Sequence, residues 1–366
     1  MKKLIICNNV YQTLVALWIV HKSDRTSVWD AIISDHISNS ENLANRVREC
    51  GLFEKVFYVK SLSLKNHWVS HNRAARLVNA VFPMHELREY VKIHSEYSDI
   101  YFANFDIFSQ ILYNALSHNR SDVNLHVFEE GLASYSSFAK YYSDFKSFYG
   151  GEKTGLKRVL HKYIYRTKVI PGNLKEFLAF NPQLIQWDPE CDIHTMEKID
   201  CQDMQFRNLV NNVFRFDPSE QEYDRKYIFF EESFFAEGSE VNDIELIEDL
   251  AARVGKENIM VKIHPRNPVN RFQQLGYKTN RNVSIPWEVI VMNSDNLSDK
   301  VLITVASSCI LNPIIVFGKK VNAYSLFDCI DHMPPILQNG YWDLVEKVYK
   351  QYPEMIHRCK SIQDIV

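Results

Sequence analysis

The stretch 125-LHVFEEGLASYSSF-138 runs a short apolar segment, Leu125 to Phe128, straight into two adjacent acids and a glycine. A run of that length, bounded by a turn signal, reads as a buried strand. Strands of a parallel sheet present their chemistry at the carboxyl end, so Glu129 and Glu130 stand where a ligand would meet them. Gly131 lets the backbone approach that ligand closely.

The same punctuation recurs on both sides. Upstream lie LIIC (4–7), DAIIS (30–34), KVFYV (55–59) and DIYFA (99–103), separated by stretches of helical spacing. A second series follows the polar segment 216-FDPSEQEYDRK-226, with YIFF (227–230), NIMVKIH (258–264), VLITVAS (301–307) and KKVNAYS (319–325). Between its first two strands, 242-NDIELIEDLAARVG-255 places Ile244, Ile247, Leu250 and Ala251 on one helical face and stops at Gly255. Alternating strand and helix in two series predicts an α/β fold of two Rossmann-like doubly wound domains, 1–220 and 221–366, facing a central cleft.

The length of 366 residues suits two cores better than one. A net charge of -3 argues against a general polyanion binder and leaves room for a local basic patch. One such patch is 153-KTGLKRVLHKYIYRTKVIPGNLK-175, with seven Lys or Arg and no acid. It reads either as a solvated helix face or as a contact surface for an anionic membrane or substrate. The seven cysteines (7, 50, 191, 201, 309, 329, 359) are scattered without C-x-x-C, which suggests neither a disulfide framework nor zinc and fits a reducing cytoplasm.

Residues Leu4 to Val20 carry no charge, but Asn8, Asn9, Tyr11 and Gln12 interrupt the apolar run, and no small-x-small cleavage site follows. Strand, polar turn and helix is the better reading. The uncharged stretch 301–318 holds Ser, Asn and Pro where a membrane span is apolar. No transmembrane segment is expected; the expected location is cytoplasmic, with peripheral contact to the inner membrane face through 153–175.

Three strands end in chemistry: FEEG, the strand running into His264-Pro265, and the strand running into Ser307-Ser308. Singly, these are a turn, a structural histidine and a helix cap. Together they supply an acid that can take a proton from a hydroxyl, an imidazole that can give one to a leaving phosphate, and a Ser-rich helix N-terminus for that phosphate. Those are the parts of a direct displacement at a glycosyl carbon. No metal is then obligatory, and the D-x-D motif common in Mg²⁺- or Mn²⁺-dependent sugar transferases does not occur.

The E-E-G at 129–131, K-x-H-P at 262–265 and S-S at 307–308, in this order, resemble the motifs of bacterial sialyltransferases of GT-B architecture. The likeness is greatest to the lipooligosaccharide sialyltransferases of glycosyltransferase family 52, and it spans most of the chain. It implies inverting, metal-independent transfer of sialic acid from CMP-sialic acid to a terminal hydroxyl, galactose by expectation, of a bacterial lipooligosaccharide or capsular glycan. No cofactor is implied, and no nucleic-acid partner. Glu129 would be the general base and Glu130 would orient it or bind substrate. His264 would protonate or stabilise the leaving CMP, with Ser307 and Ser308 on the phosphate, and Lys262 and Pro265 at the donor. Glu288 in 285-IPWEV-289 stands where related enzymes place an acid on the ribose, or is a plain surface acid. Asn9, Tyr11, Gln12 and Gly131 would line the acceptor side. Family 52 also places its base in the C-terminal domain, where Glu231, Glu232 and Asp243 are the alternatives. Rival functions are a GT-B transferase using CMP-Kdo or a UDP-hexose, and a non-catalytic envelope glycan-binding protein.

Overall fold

Leu4 to Cys7 are fully buried, as a strand covered on both faces of a parallel sheet requires. This strand, β1 (Lys2–Cys7), leads through two residues into helix α1 (Val10–Lys22), whose N-cap Asn9 accepts the Gln12 N–H at 2.7 Å. The expected polar turn is thus shortened to Asn8-Asn9, and Tyr11 and Gln12 sit in the first turn of α1. The computed structural model describes residues 2–37, 39–64, 97–104, 106–118, 122–131, 133–136, 173–219, 222–334 and 341–365, together with positions 78, 82, 87–88, 90–93, 155, 159 and 337. Most of the basic segment 153–175, including Lys157, Arg158, Lys162 and Arg166, lies outside the described residues; its end, Leu174 and Lys175, opens a strand.

The first unit comprises Met1–Ser134 and Phe138–Met196. After α1 come β2 (Val28–Ser34), α2 (Ser40–Glu49), β3 (Lys55–Val59), β4 (Asp99–Phe102), α3 (Ile107–Ser117), β5 (Asn124–Phe128), β6 (Leu174–Ala179) and β7 (Asp192–Thr195). All neighbours pair in parallel, in the order β3-β2-β1-β4-β5-β6-β7. The order reverses between β1 and β4, so the crevice beyond the carboxyl ends of those two strands is where a doubly wound sheet takes a ligand.

The second unit comprises Tyr135–Ser137 and Glu197–Val366. It contains α4 (Met204–Phe214), β8 (Tyr227–Phe230), α5 (Asp243–Val254), β9 (Ile259–Lys262), β10 (Lys278–Thr279), α6 (Trp287–Asn293), β11 (Val301–Thr304), β12 (Asn322–Ser325), α7 (Tyr341–Gln351) and β13 (Ile356–Arg358). This sheet is also parallel, ordered β10-β9-β8-β11-β12-β13, with its reversal between β8 and β11. Phe229, Val261 and Ile303 face a core shared with Ile247, Leu250 and Phe272. The strand alternation turns Phe230, Lys262 and Thr304 to the opposite face, where Phe230 meets Trp287 of α6 edge to face at 4.7 Å.

Two α/β units with parallel sheets match the expected fold class. The division falls between Met196 and Glu197, upstream of the expected break at residue 220, because α4 packs against α6 through Asn211 and Asn293. The strand expected over 301–307 stops at Thr304, so Ser307 and Ser308 belong to the following loop. Among the described residues, no helix is long and apolar enough to cross a membrane.

Candidate active site

The carboxyl end of the first sheet gathers Asn8 after β1, Asn104 and Asp106 after β4, and Glu129 and Glu130 after β5. Glu129 is buried, and its two oxygens accept the Tyr11 hydroxyl and the Phe180 backbone N–H, each at 2.9 Å. Glu130 is half-buried. Its Oε2 accepts from Gln12 Nε2 at 3.0 Å, and among the described residues no hydrogen bond reaches Oε1. Burial pushes the Glu130 carboxyl up to about 7, against the Gln12 hydrogen bond and with help from the Asp106 charge. The loop is fixed beneath: the Ser134 hydroxyl accepts the Glu130 N–H at 2.8 Å, and Trp187 Nε1 donates to the Ser134 carbonyl at 2.8 Å. Gly131 turns the chain at φ 110°, a conformation that side chains rarely adopt.

At the carboxyl end of the second sheet, Glu231 and Glu232 part company. Glu231 is buried and pairs with Arg271 Nη2 at 3.1 Å, while its other oxygen accepts the His264 N–H at 3.1 Å. Asp243 takes the same guanidinium at 2.6 Å. Two of the three alternative bases are therefore engaged by one arginine. Glu232 lies across the crevice between β8 and β11, accepting the Thr304 hydroxyl at 2.8 Å and the Ala306 N–H at 3.0 Å. Burial raises its carboxyl to about 7 despite those bonds.

His264 follows β9 with its Nδ1 accepting the Arg266 backbone N–H at 3.2 Å, which leaves the ring proton on Nε2. Burial first, then the charges of Arg266 and Lys262, lowers its pKa to about 4, so the ring is neutral near pH 7. Pro265 beside it is exposed. Lys262 is buried on the sheet face that carries Thr304; burial pulls its ammonium down while Cys309, Glu288 and Glu222 oppose that shift. Glu288, in the first turn of α6, is buried rather than a surface acid, and it accepts from the Asn312 amide. Burial raises its carboxyl, with Asn312 and Lys262 acting against the shift. Ser307 and Ser308 are partly exposed, but they open only a 3₁₀ turn, Ser308–Ile310, and a one-turn helix, Asn312–Ile315. The helix N-terminus expected there is thus no more than these short turns, which offer single N–H and hydroxyl groups.

Asn8, Asp106, Arg271 and Asn312 were not legible as site residues from the motifs. Asp106 was within reach, since it ends the segment after β4, next to the reversal of strand order. Among the described residues, no group of three or more His, Cys, Asp or Glu is placed to hold a metal ion.

Comparison with known proteins gives no match among curated proteins. Among solved structures, the glycotransferase of kitacinnamycin aligns with a TM-score of 0.49 at 10% identity, covering 100% of this chain and 87% of that one. LpCGTa in complex with UDP aligns at 0.48 and 9%, covering 98% and 84%, and S. aureus MnaA with UDP at 0.45 and 9%, covering 96% and 88%. The family model of Alpha-2,8-polysialyltransferase (POLYST) matches residues 3–324. That stretch carries both parallel sheets up to β12 and every acid, imidazole and hydroxyl described above. The match falls on a sialyl-transferring family, described by alpha-2,8-polysialyl transfer and not by lipooligosaccharide. The chain belongs to the alpha-2,8-polysialyltransferase family and is a glycosyltransferase, taking a nucleotide-sugar donor and a glycan acceptor.

Proposed function

We propose that the protein is an inverting sialyltransferase that moves sialic acid from CMP-sialic acid to a sugar hydroxyl, with Glu130 rather than Glu129 as general base. The contrast between these neighbours carries the reading. Glu129 has an oxygen on Tyr11 and an oxygen on Phe180, and serves to brace the loop. Glu130 offers Oε1 and has a pKa of about 7, where a base both exists ionised and accepts a proton effectively.

In the reaction, Glu130 takes the hydroxyl proton as the acceptor oxygen bonds to the anomeric carbon. The bond from that carbon to the phosphate oxygen breaks, and its electron pair leaves with CMP. Neutral His264 donates from Nε2 to the departing phosphate, joined by Ser307 and Ser308; Lys262 adds positive charge nearby. The buried Glu288, oriented by Asn312, suits a ribose diol. These donors support transfer without metal. The family description favours a sialic acid hydroxyl at the end of a surface glycan over the galactose expected from sequence.

The test offers the purified protein CMP-sialic acid, CMP-Kdo and UDP-hexoses with sialylated and galactosyl acceptors, with and without EDTA, and reads products by mass spectrometry. Sialyl transfer from CMP-sialic acid alone, persisting in EDTA, is expected. Glu130→Gln should lower kcat about 10²–10⁴-fold while CMP binding holds. Full activity of Glu130→Gln, or loss in EDTA restored by Mn²⁺, would overturn the mechanism.

A further inference from the structure

Two sets of hydrogen bonds meet at Asn8, one made by its side chain and one by its backbone, and together they tie the loop after β4 to the loop after β5. Asn8 Nδ2 donates to Asp106 Oδ2 at 2.5 Å and to Asn104 Oδ1 at 2.8 Å. The Asn8 backbone N–H donates to Gln12 Oε1 at 2.6 Å, which fixes the amide so that Nε2 points to Glu130 and donates at 3.0 Å. Gln12 is fully buried and Asn8 is 5% exposed, so neither has water as an alternative partner.

Holding Asn8 this way leaves its Oδ1 buried without a hydrogen bond among the described residues. A buried acceptor without a donor costs stability, and folding alone does not favour it. The ends of the arrangement are two carboxyls, Asp106 and Glu130. Asp106 is itself anchored, since it caps α3 by accepting the Ser109 N–H at 2.7 Å. We propose that Asp106, acting through Asn8 and Gln12, is the positioning residue that orients Glu130 and sets the charge it faces.

The proposal rests on Glu130 as the base. The ionisable groups around the pair are Asp106 before α3, exposed His36 after β2, Tyr11 on α1 and Glu129, the last two joined to each other. The Asp106 charge works to raise the Glu130 carboxyl, and burial raises Asp106. Burial is the larger cause at Glu130, and removing the Asp106 charge lets Glu130 ionise at lower pH.

Asp106→Asn keeps the size and, through its amide oxygen on the Ser109 N–H, the helix cap, while it removes the charge and sets an NH2 against Asn8 Nδ2. With CMP-sialic acid as donor, the acid limb of its kcat/KM profile should move down by about one pH unit. Gln12→Met, which cuts these hydrogen bonds at Gln12 and leaves the cap untouched, should lower kcat about tenfold or more at an unchanged donor KM. Thermal unfolding and CMP binding report whether each variant is folded. An acid limb of Asp106→Asn lying on the wild-type curve, or a wild-type kcat in Gln12→Met, overturns the proposal. If Glu130→Gln is inactive at the same time, the general base stands and only the relay falls. Full activity of Glu130→Gln removes both.

Discussion

Glu232 stands across the crevice between β8 and β11, accepting the N–H of Ala306, the residue before Ser307. Its carboxyl, raised to about 7 mainly by burial, is neutral below that pH and anionic above it. A carboxylate beside a bound phosphate is repulsive, so nucleotide affinity should fall as pH rises through about 7. Glu232→Gln keeps an oxygen for the Thr304 hydroxyl and the Ala306 N–H and cannot ionise. The comparison isolates the charge: wild type and variant should bind CMP alike near pH 6, and wild type about tenfold more weakly near pH 8. Calorimetric titration across that range checks it. Parallel curves for the two proteins would show that the phosphate lies away from Glu232. His264 acts at the same scale with the opposite design, because its bond from the Arg266 N–H fixes one tautomer and makes the ring a donor without a positive charge.

At the scale of elements, a polar row crosses β4, β5 and β6. The His126 ring nitrogens lie 2.8 Å from Asp99 and 2.6 Å from Glu176, and the ring stacks on Tyr101 at 4.2 Å. Burial opposes ionisation of Asp99, and bonds from Ser98, His126 and Asn124 outweigh it; the His126 bond holds Glu176 low. Both folded values are depressed, so their stabilisation is present above the unfolded carboxylate range and is lost as pH falls through the folded values, below about pH 4. His126→Leu leaves two acids facing each other, and should cost about 3–5 kcal/mol at pH 7 and flatten the acid dependence. Denaturant unfolding followed from pH 7 down to about pH 2 reads both; a variant as stable as wild type would rule the row out as a support. None of this row was legible in the sequence. β5 was read as an apolar run although His126 sits inside it, and β6, β7, β10 and β13 were missed. Their apolar residues are few or interleaved with charges, as in LKEFLA and DIHT, and pairing with neighbours decides them. The strands with uninterrupted apolar runs, such as β1, β8 and β11, were legible because burial on both faces leaves no room for charge. The site followed the same division. The motifs pointed to acids and hydroxyls after strands, while what separates Glu129 from Glu130 is a pair of Glu129 bonds to Tyr11 and Phe180, partners 118 and 51 residues away.

At the scale of the whole molecule, the surface glycan proposed as acceptor would be carried at a membrane, and none of the described helices is long and apolar enough to cross one. The sequence offers one feature for that task, the basic segment 153–175 with seven cations and no acid. Read as a helix, it sets Lys157, Arg158, Lys162 and Arg166 mostly along one face, with Leu160, Tyr163 and Ile164 on the flank. Each such cation near an anionic leaflet is worth about 1 kcal/mol, so four together turn negligible binding into a stable peripheral contact. Charge reversal at Lys157, Arg158, Lys162 and Arg166 should therefore abolish sedimentation with vesicles rich in anionic lipid, and raised salt should do the same to the wild type. Transfer to a small soluble acceptor should remain within about twofold of wild type, since surface electrostatics act on encounter and not on the displacement at the anomeric carbon. If the reversed variant still sediments, the segment is a solvated face. If soluble transfer collapses with vesicle binding, the cations serve the acceptor's own negative charges, as a sialylated chain would require.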